Sequence, residues 1–317
     1  MSIRAATHAG SWYNASESRL TRQMDNFLSN VKEEAIPGNR ILIGPHAGYT
    51  YAGQTLAETY ASWDISNVKR VFIMGPSHFV FFKNCVMLSN CEYYQTPFGD
   101  LEVDTKIVEQ FISKDKNFFK TMSLDIDEEE HSFEMHLPFV YRMTQNNPQK
   151  PKIIPIMISH SSKDFENKLA DYLLPFFEDN SNTFVISSDF CHWGSRFNYT
   201  SYLKGGDLKK IISLNYSSNI NSNFPIYKSI EMLDKEAMKV ISSGSYKDWK
   251  DYIAYTGNTV CGERPIGVLL NIIEKYKKLK GISGKQGNFK WLGYAQSGSV
   301  VDVDDSSVSY ASGYCVI

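Results

Sequence analysis

Three short apolar runs in this chain stop at small or turn-forming residues, and a histidine follows each within a few positions. Ile41-Leu42-Ile43 leads into Gly44-Pro45-His46, Val71-Phe72-Ile73-Met74 into Gly75-Pro76-Ser77-His78, and Phe184-Val185-Ile186 into Ser187-Ser188-Asp189-Phe190-Cys191-His192. A neutral imidazole just past a strand can bind a metal ion or carry a proton. In an open parallel sheet, the loops leaving the carboxyl ends of the strands converge on one crevice, which makes these histidines candidates for a single site. Any one of them alone could simply hydrogen-bond its own loop. The matched placement of His46 and His78, each just beyond a Gly-Pro step, favours the functional reading.

Asp189 and His192, three residues apart, could both ligate, or one could orient another ligand through a carboxylate–imidazole hydrogen bond. Cys191 between them reads as a small buried hydrophobe. Cys261 differs, because it lies in a polar loop between Gly257 and Arg264, just ahead of a helix. A thiolate there could be stabilised by the helix N-terminus, by Arg264 or by a metal. Further candidates sit between Glu128 and Leu137, where Glu130 and Glu134 are one helical turn apart and His131 precedes Glu134 by three. A solvated acidic helix start accounts for much of this stretch. Glu134, however, lies between Phe133 and Met135, and an acid on an apolar helix needs a partner. The chain has no GxxxxGK, GxSxG, GxGxxG or HExxH motif, so nucleotide hydrolysis and the common hydrolase templates lack support.

The elements that must position these residues alternate along the chain. Leu20, Met24, Phe27, Leu28 and Val31 share one face of a helix expected over 16–31. A strand at 40–44, a helix near 53–62 and a strand at 70–75 make a βαβ unit with parallel pairing. A short strand over 85–88, a turn at Pro97 and Gly99, and a helix at 104–114 follow. The stretch 130–146 reads as helical, with Pro138 starting or kinking it. Strands at 152–159 and 183–188 flank a helix at 163–178 whose last turn Pro175 disturbs. Between about 203 and 224 the composition turns to Gly, Asn, Ser and Lys, the mark of a polar surface insertion that is partly mobile. Helices resume at 226–243, 246–255 and 266–279, and the last thirty residues read as closing strands. The expected architecture is α/β: a single domain over 1–317, with a largely parallel central sheet flanked by helices.

A chain of 317 residues buries a sizeable core without staples. Its 33 Lys and Arg against 35 Asp and Glu leave a net charge of -2, which argues against nucleic acid and anionic membrane as partners. Five scattered cysteines without a CxxC pair fit reduced thiols in the cytosol. No stretch approaches the roughly 20 apolar residues of a membrane span, and a cytoplasmic, or also nuclear, location follows as the expectation.

The chain resembles the Memo family, whose members look like class III extradiol dioxygenases in fold. The likeness runs from about Arg4 to Tyr314 through THAGSWY at 7–13, PHAGYTYAG at 45–53, GPSH at 75–78, EHSFEMHLP at 130–138, SSDFCHWG at 187–194, NTVCGERPIGVLL at 258–270 and DSSVSYASG at 305–313. It implies a metal-binding triad of His46, His78 and Cys261, with Asp189 and His192 in supporting catalytic roles beside it. Glu130, His131 and Glu134 would stand behind the ligands. Relatives are linked to iron or copper binding, to redox signalling and, in animals, to cell motility downstream of receptor tyrosine kinases. Two departures stand out. The dioxygenases hold Fe(II) with two histidines and a glutamate, whereas the third ligand here would be Cys261. That softer, oxidisable donor shifts preference toward Cu(I), zinc or thiolate-bound iron, and away from ordinary ring cleavage. The second departure is Phe79, which stands where the family often carries another histidine after GPSH.

Three functions compete at this point: a metal centre for one-electron or oxygen chemistry on a small-molecule or dioxygen-derived ligand, an adaptor that holds a signalling peptide in the crevice, and metal-free Cys-His covalent catalysis. Arg196, Arg264 and nearby aromatic residues could serve the adaptor.

Overall fold

The computed structural model describes residues 2–317 apart from Glu33 and Asn219. At its centre four strands run parallel, in the spatial order Ile41–Gly44, Asn182–Ser187, Arg70–Pro76 and Lys152–Ile158. They are buried almost throughout, which is why each reads as a continuous apolar run instead of alternating. Outside this parallel core the sheet becomes mixed. Ser307–Cys315 lies antiparallel to Ile41–Gly44 and also pairs with Lys290–Gln296 and His192–Trp193. At the other edge Val86–Leu88 runs antiparallel to Lys152–Ile158 and carries Phe119–Thr121 beyond it.

Helices flank the sheet. Tyr49–Ala61 packs on Ile41–Gly44 and on the closing strand pair, while Glu263–Lys280 packs on Lys163–Phe177 and on the strands Arg70–Pro76 and Asn182–Ser187. The expected βαβ unit over 40–75 is parallel but not adjacent: Asn182–Ser187 is inserted between its two strands. The loops that carry His46 and His78 therefore stand on either side of the loop that carries Asp189. Non-local pairing of a strand more than a hundred residues downstream produces this order, and no local pattern announces it.

Three further differences bear on the site. The helix expected from 53 starts at Tyr49, whose N–H donates to the Trp12 carbonyl at 2.9 Å. The helix expected over 130–146 is broken, because Glu130 is extended (φ -79°, ψ 120°) between Leu124–Glu129 and His131–Glu134, and Pro138 opens a separate helix, Leu137–Thr144. Pro175 sits within the last turn of Lys163–Phe177 without ending it. The polar insertion contains a hairpin of Ser201–Leu203 and Ile211–Ser213, anchored where Leu203 and Leu214 join Trp193, Ile226, Ile230 and Leu233 in a second apolar cluster. Among the described residues no helix is long and apolar enough to cross a membrane.

Candidate metal centre

The carboxyl ends of the parallel strands meet on one edge, and there His46, His78 and Cys261 come together. One ligand atom from each lies within 4.8 Å of the others. The His46 and His78 rings stand edge to face with centroids 5.0 Å apart, and Cys261 Sγ is 3.2 Å from His46 Nε2.

Hydrogen bonds fix which nitrogen each ring presents. Ser187 Oγ donates to the Ser132 carbonyl at 2.7 Å, so it accepts from the Nδ1–H of His46, also at 2.7 Å. His46 Nε2 then carries the lone pair. His78 donates its backbone N–H to Glu130 Oε2 at 2.8 Å and its Nδ1–H to Glu130 Oε1 at 2.7 Å, which leaves its Nε2 free in the same way. A metal-ligating histidine is oriented in just this fashion, by an acceptor on the far side of the ring.

Cys261 is delivered by close approach of two loops. Its N–H reaches the Asp189 carbonyl at 3.3 Å, and the Asp189 N–H points at its sulfur from 3.1 Å. Gly262 N–H donates to Ser188 Oγ at 3.0 Å. A Cβ at Gly262 would fall 2.3 Å from Ser188 Cβ, so only glycine admits this approach. Thr259 laces the same loops, accepting from the His192 N–H and donating to the His192 carbonyl, both at 2.8 Å.

Burial, then neighbouring His78 and His131, lowers the His46 pKa and keeps the ring neutral. Burial, then the Asp189 carboxylate, pushes the Cys261 thiol well above its ordinary range. Thiol and imidazole thus meet as an uncharged S–H···N pair. Such a pair holds no preformed thiolate for covalent Cys-His catalysis. It does fit a metal, which would replace the shared proton and meet two neutral nitrogens and one sulfur.

The other candidates divide. Asp189 Oδ1 accepts the His46 N–H at 2.8 Å, so it secures the loop that presents the ligand. His192 turns Nδ1 toward the Phe190 and Thr259 carbonyls at 2.9 and 3.1 Å. His131 stacks on His78 with centroids 4.2 Å apart; burial and then His78 hold its pKa down at about 3. Burial pushes the Glu130 carboxyl up, but the hydrogen bond and electrostatic pull of His78 outweigh it and hold the group at about 2. Glu134 faces the amino-terminal segment, where it takes Arg4, the Tyr13 hydroxyl and His8. Arg264 donates to the Ser161 carbonyl at 2.8 Å and faces Glu166.

The family model described as Memo-like protein matches residues 4–314. The chain belongs to the Memo family. It is 42% identical to the MEMO1 family protein MHO1 of Saccharomyces cerevisiae, with all of both chains covered. It is 41% identical to Protein MEMO1 of Danio rerio over 100% of this chain and 98% of that one, and 40% identical to the Homo sapiens protein over 98% and 96%. The crystal structure of an uncharacterized Escherichia coli K12 protein aligns with a TM-score of 0.47 at 11% identity, covering 87% of this chain and 98% of that one, a likeness that adds nothing to the assignment.

Residue-by-residue reading of this Memo-family sequence misses two groups that the geometry brings forward. Ser187 sets the tautomer of His46, yet it looks like an ordinary strand end. His8 approaches the cleft from the amino terminus, its ring 5.9 Å from His131, and only its place in THAGSWY singles it out.

Proposed function

We propose that this Memo-family protein binds one metal ion at His46, His78 and Cys261, iron or copper with zinc as a further fit, and that it serves intracellular redox chemistry tied to cell motility or growth signalling. The observation that carries this reading is that both histidines have Nδ1 committed to an acceptor, so that two Nε2 lone pairs and one sulfur face each other. A bound metal would supply Lewis acidity or a one-electron couple to a small-molecule or dioxygen-derived ligand. The chain's own residues would do the rest: Ser187 and Glu130 orient the rings, Asp189 holds the His46 loop, and His192 borders the site. A thiolate donor in place of a carboxylate favours the softer metals. The test is metal analysis of protein purified without added metal, beside a variant carrying His46→Ala, His78→Ala and Cys261→Ser. Equal metal content in both rejects the reading.

A catalytically silent adaptor is the second reading, and one feature supports it. Trp12, Tyr51, Tyr310 and Arg196 line a groove beside Ala47 and Gly48, next to His46. An aromatic groove with one guanidinium suits a peptide carrying an anionic side chain, such as a phosphate. Peptide binding that survives both the triple substitution and metal removal would favour the adaptor.

A further inference from the structure

We propose that a depression beside His8 is the port through which the metal ion enters, and that His8 and His131 pass the incoming cation to the His46, His78 and Cys261 centre. This inference rests on the metal-binding reading above.

Thr7, His8, Phe79, Asp125, Glu128 and Glu129 line the depression. Asp125 and Glu129 are exposed, so the mouth presents carboxylates to solvent. Clustered charge of one sign at a cleft raises the local concentration of the opposite ion. By itself an acidic mouth would specify nothing, but two imidazoles continue inward from it. His8 is gripped by Glu134, with its N–H on Oε1 at 2.9 Å and Nδ1 against Oε2 at 2.8 Å. This is the grip that Glu130 applies to His78, and it likewise leaves Nε2 as the ring's uncommitted nitrogen.

His131 comes next, and it carries the independent sign of a ligand. Its residue is only 8% exposed, and its Nδ1 has no hydrogen-bond partner, the nearest carboxylate oxygen being Glu130 Oε1 at 3.9 Å. A buried polar atom left unpaired is costly and calls for an occupant. Two rings from the depression, His8 and Phe79, sit against His131 at 5.9 and 6.1 Å, and His131 in turn lies on His78 at 4.2 Å and beside His46 at 5.3 Å. Imidazole rings therefore follow one another from the depression to the ligands, at centroid spacings of 5.9 and then 4.2 Å.

Two other openings near the centre suit cations less. The groove at Trp12 and Tyr51 is lined by Arg196 and by no carboxylate. The opening at Ser159, His160 and Cys261 holds Arg264, and its carboxylate, Glu263, is paired with Lys250 at 2.8 Å.

The experiment uses the full chain stripped of metal and mixed with cobalt(II), whose thiolate charge-transfer absorption reports ligation by Cys261. Loading is followed by stopped flow in wild type, in an Asp125→Asn/Glu129→Gln variant and in His8→Gln. Each variant should load about ten-fold more slowly, the scale of electrostatic steering, and reach the wild-type final absorbance. In the first variant the slowing of wild-type loading by salt should also weaken. Equal rates in all three proteins overturn the port while leaving the centre intact. Unchanged rates with a reduced final absorbance also overturn it, because the residues would then support the centre and not the route. If the wild type itself develops no absorption, the metal-binding reading fails.

Discussion

Glu130 and Glu134 stand one turn apart in the sequence, and each closes on a histidine by the same two points, backbone N–H and ring Nδ1. Their other partners differ. Glu130 accepts from the Ser132 N–H at 2.9 Å, capping the short helix that follows it. Glu134 takes the fully buried guanidinium of Arg4, and the Tyr13 hydroxyl at 2.7 Å. One glutamate therefore sets the tautomer of a ligand, while the other is the counter-charge that fastens the amino-terminal segment. Equal spacing and equal geometry around the ring still leave Glu130 with a ligand to orient and Glu134 with a buried cation to neutralise as well, and the cation behind Glu134 makes the difference.

The largest expected effect follows from taking the nearer of two buried carboxylates away from that cation. Glu134→Gln leaves the buried Arg4 with backbone carbonyls of Asp127, Glu128, Glu130 and Ala5 and with the Asp127 carboxylate, 3.6 Å away, as its remaining counter-charge. Removing one partner of a buried ion pair costs about 3–5 kcal/mol. Urea unfolding should show that loss, and a change below about 1 kcal/mol would mean the carbonyls and Asp127 suffice for the cation.

Acid should separate the same two groups. Burial raises the Glu134 carboxyl, but His8 and Arg4 together outweigh it and hold the group at about 2. A carboxylate lowered on folding contributes stability that is complete above its unfolded value of about 4.3 and is lost as pH falls through the folded value. A gap of about two units corresponds to roughly 3 kcal/mol. The unfolding free energy, measured from about pH 5 down to about pH 2, should fall by roughly that much less in Glu134→Gln. Parallel acid profiles for the two proteins would show that the carboxylate gains nothing from its partners.

Glu130→Gln should act on metal more than on stability. An amide can accept at one end only, so either the His78 N–H or its Nδ1–H faces another donor. The ring then tends to the tautomer with its proton on Nε2, the atom the metal needs. Loss of such an oriented partner weakens metal affinity about 10–100-fold. Competitive zinc titration measures this, and unchanged affinity would remove Glu130 from the centre.

Much of this centre is legible in sequence because its ligands leave strands that are buried on both faces. Continuous apolar runs ending in Gly-Pro mark the edge from which His46 and His78 emerge, and the loop before a helix marks Cys261. Strand order is not legible, since Asn182–Ser187 enters between the other two by pairing across more than a hundred residues. The break at Glu130 is hidden for a related reason. Local spacing favours a continuous helix, but the carboxylate must turn back to meet His78, and that contact spans 52 positions. His8 and Ser187 escape notice because their roles exist only through partners 126 and 141 positions away.

The smallest effect belongs to the other ligand. Ser187→Ala removes a neutral hydroxyl that accepts from His46 and donates to the Ser132 carbonyl. Neutral hydrogen bonds contribute about 1 kcal/mol, and bonds to a charged group about twice that. Metal affinity should therefore fall about ten-fold or less, below the loss in Glu130→Gln, with His46 still confined by burial to a neutral ring. The same zinc titration decides the order. Should Ser187→Ala prove the more damaging, burial alone would not be holding the His46 tautomer, and the hydroxyl bridging His46 to the Ser132 carbonyl would outrank the carboxylate as the group that prepares the site.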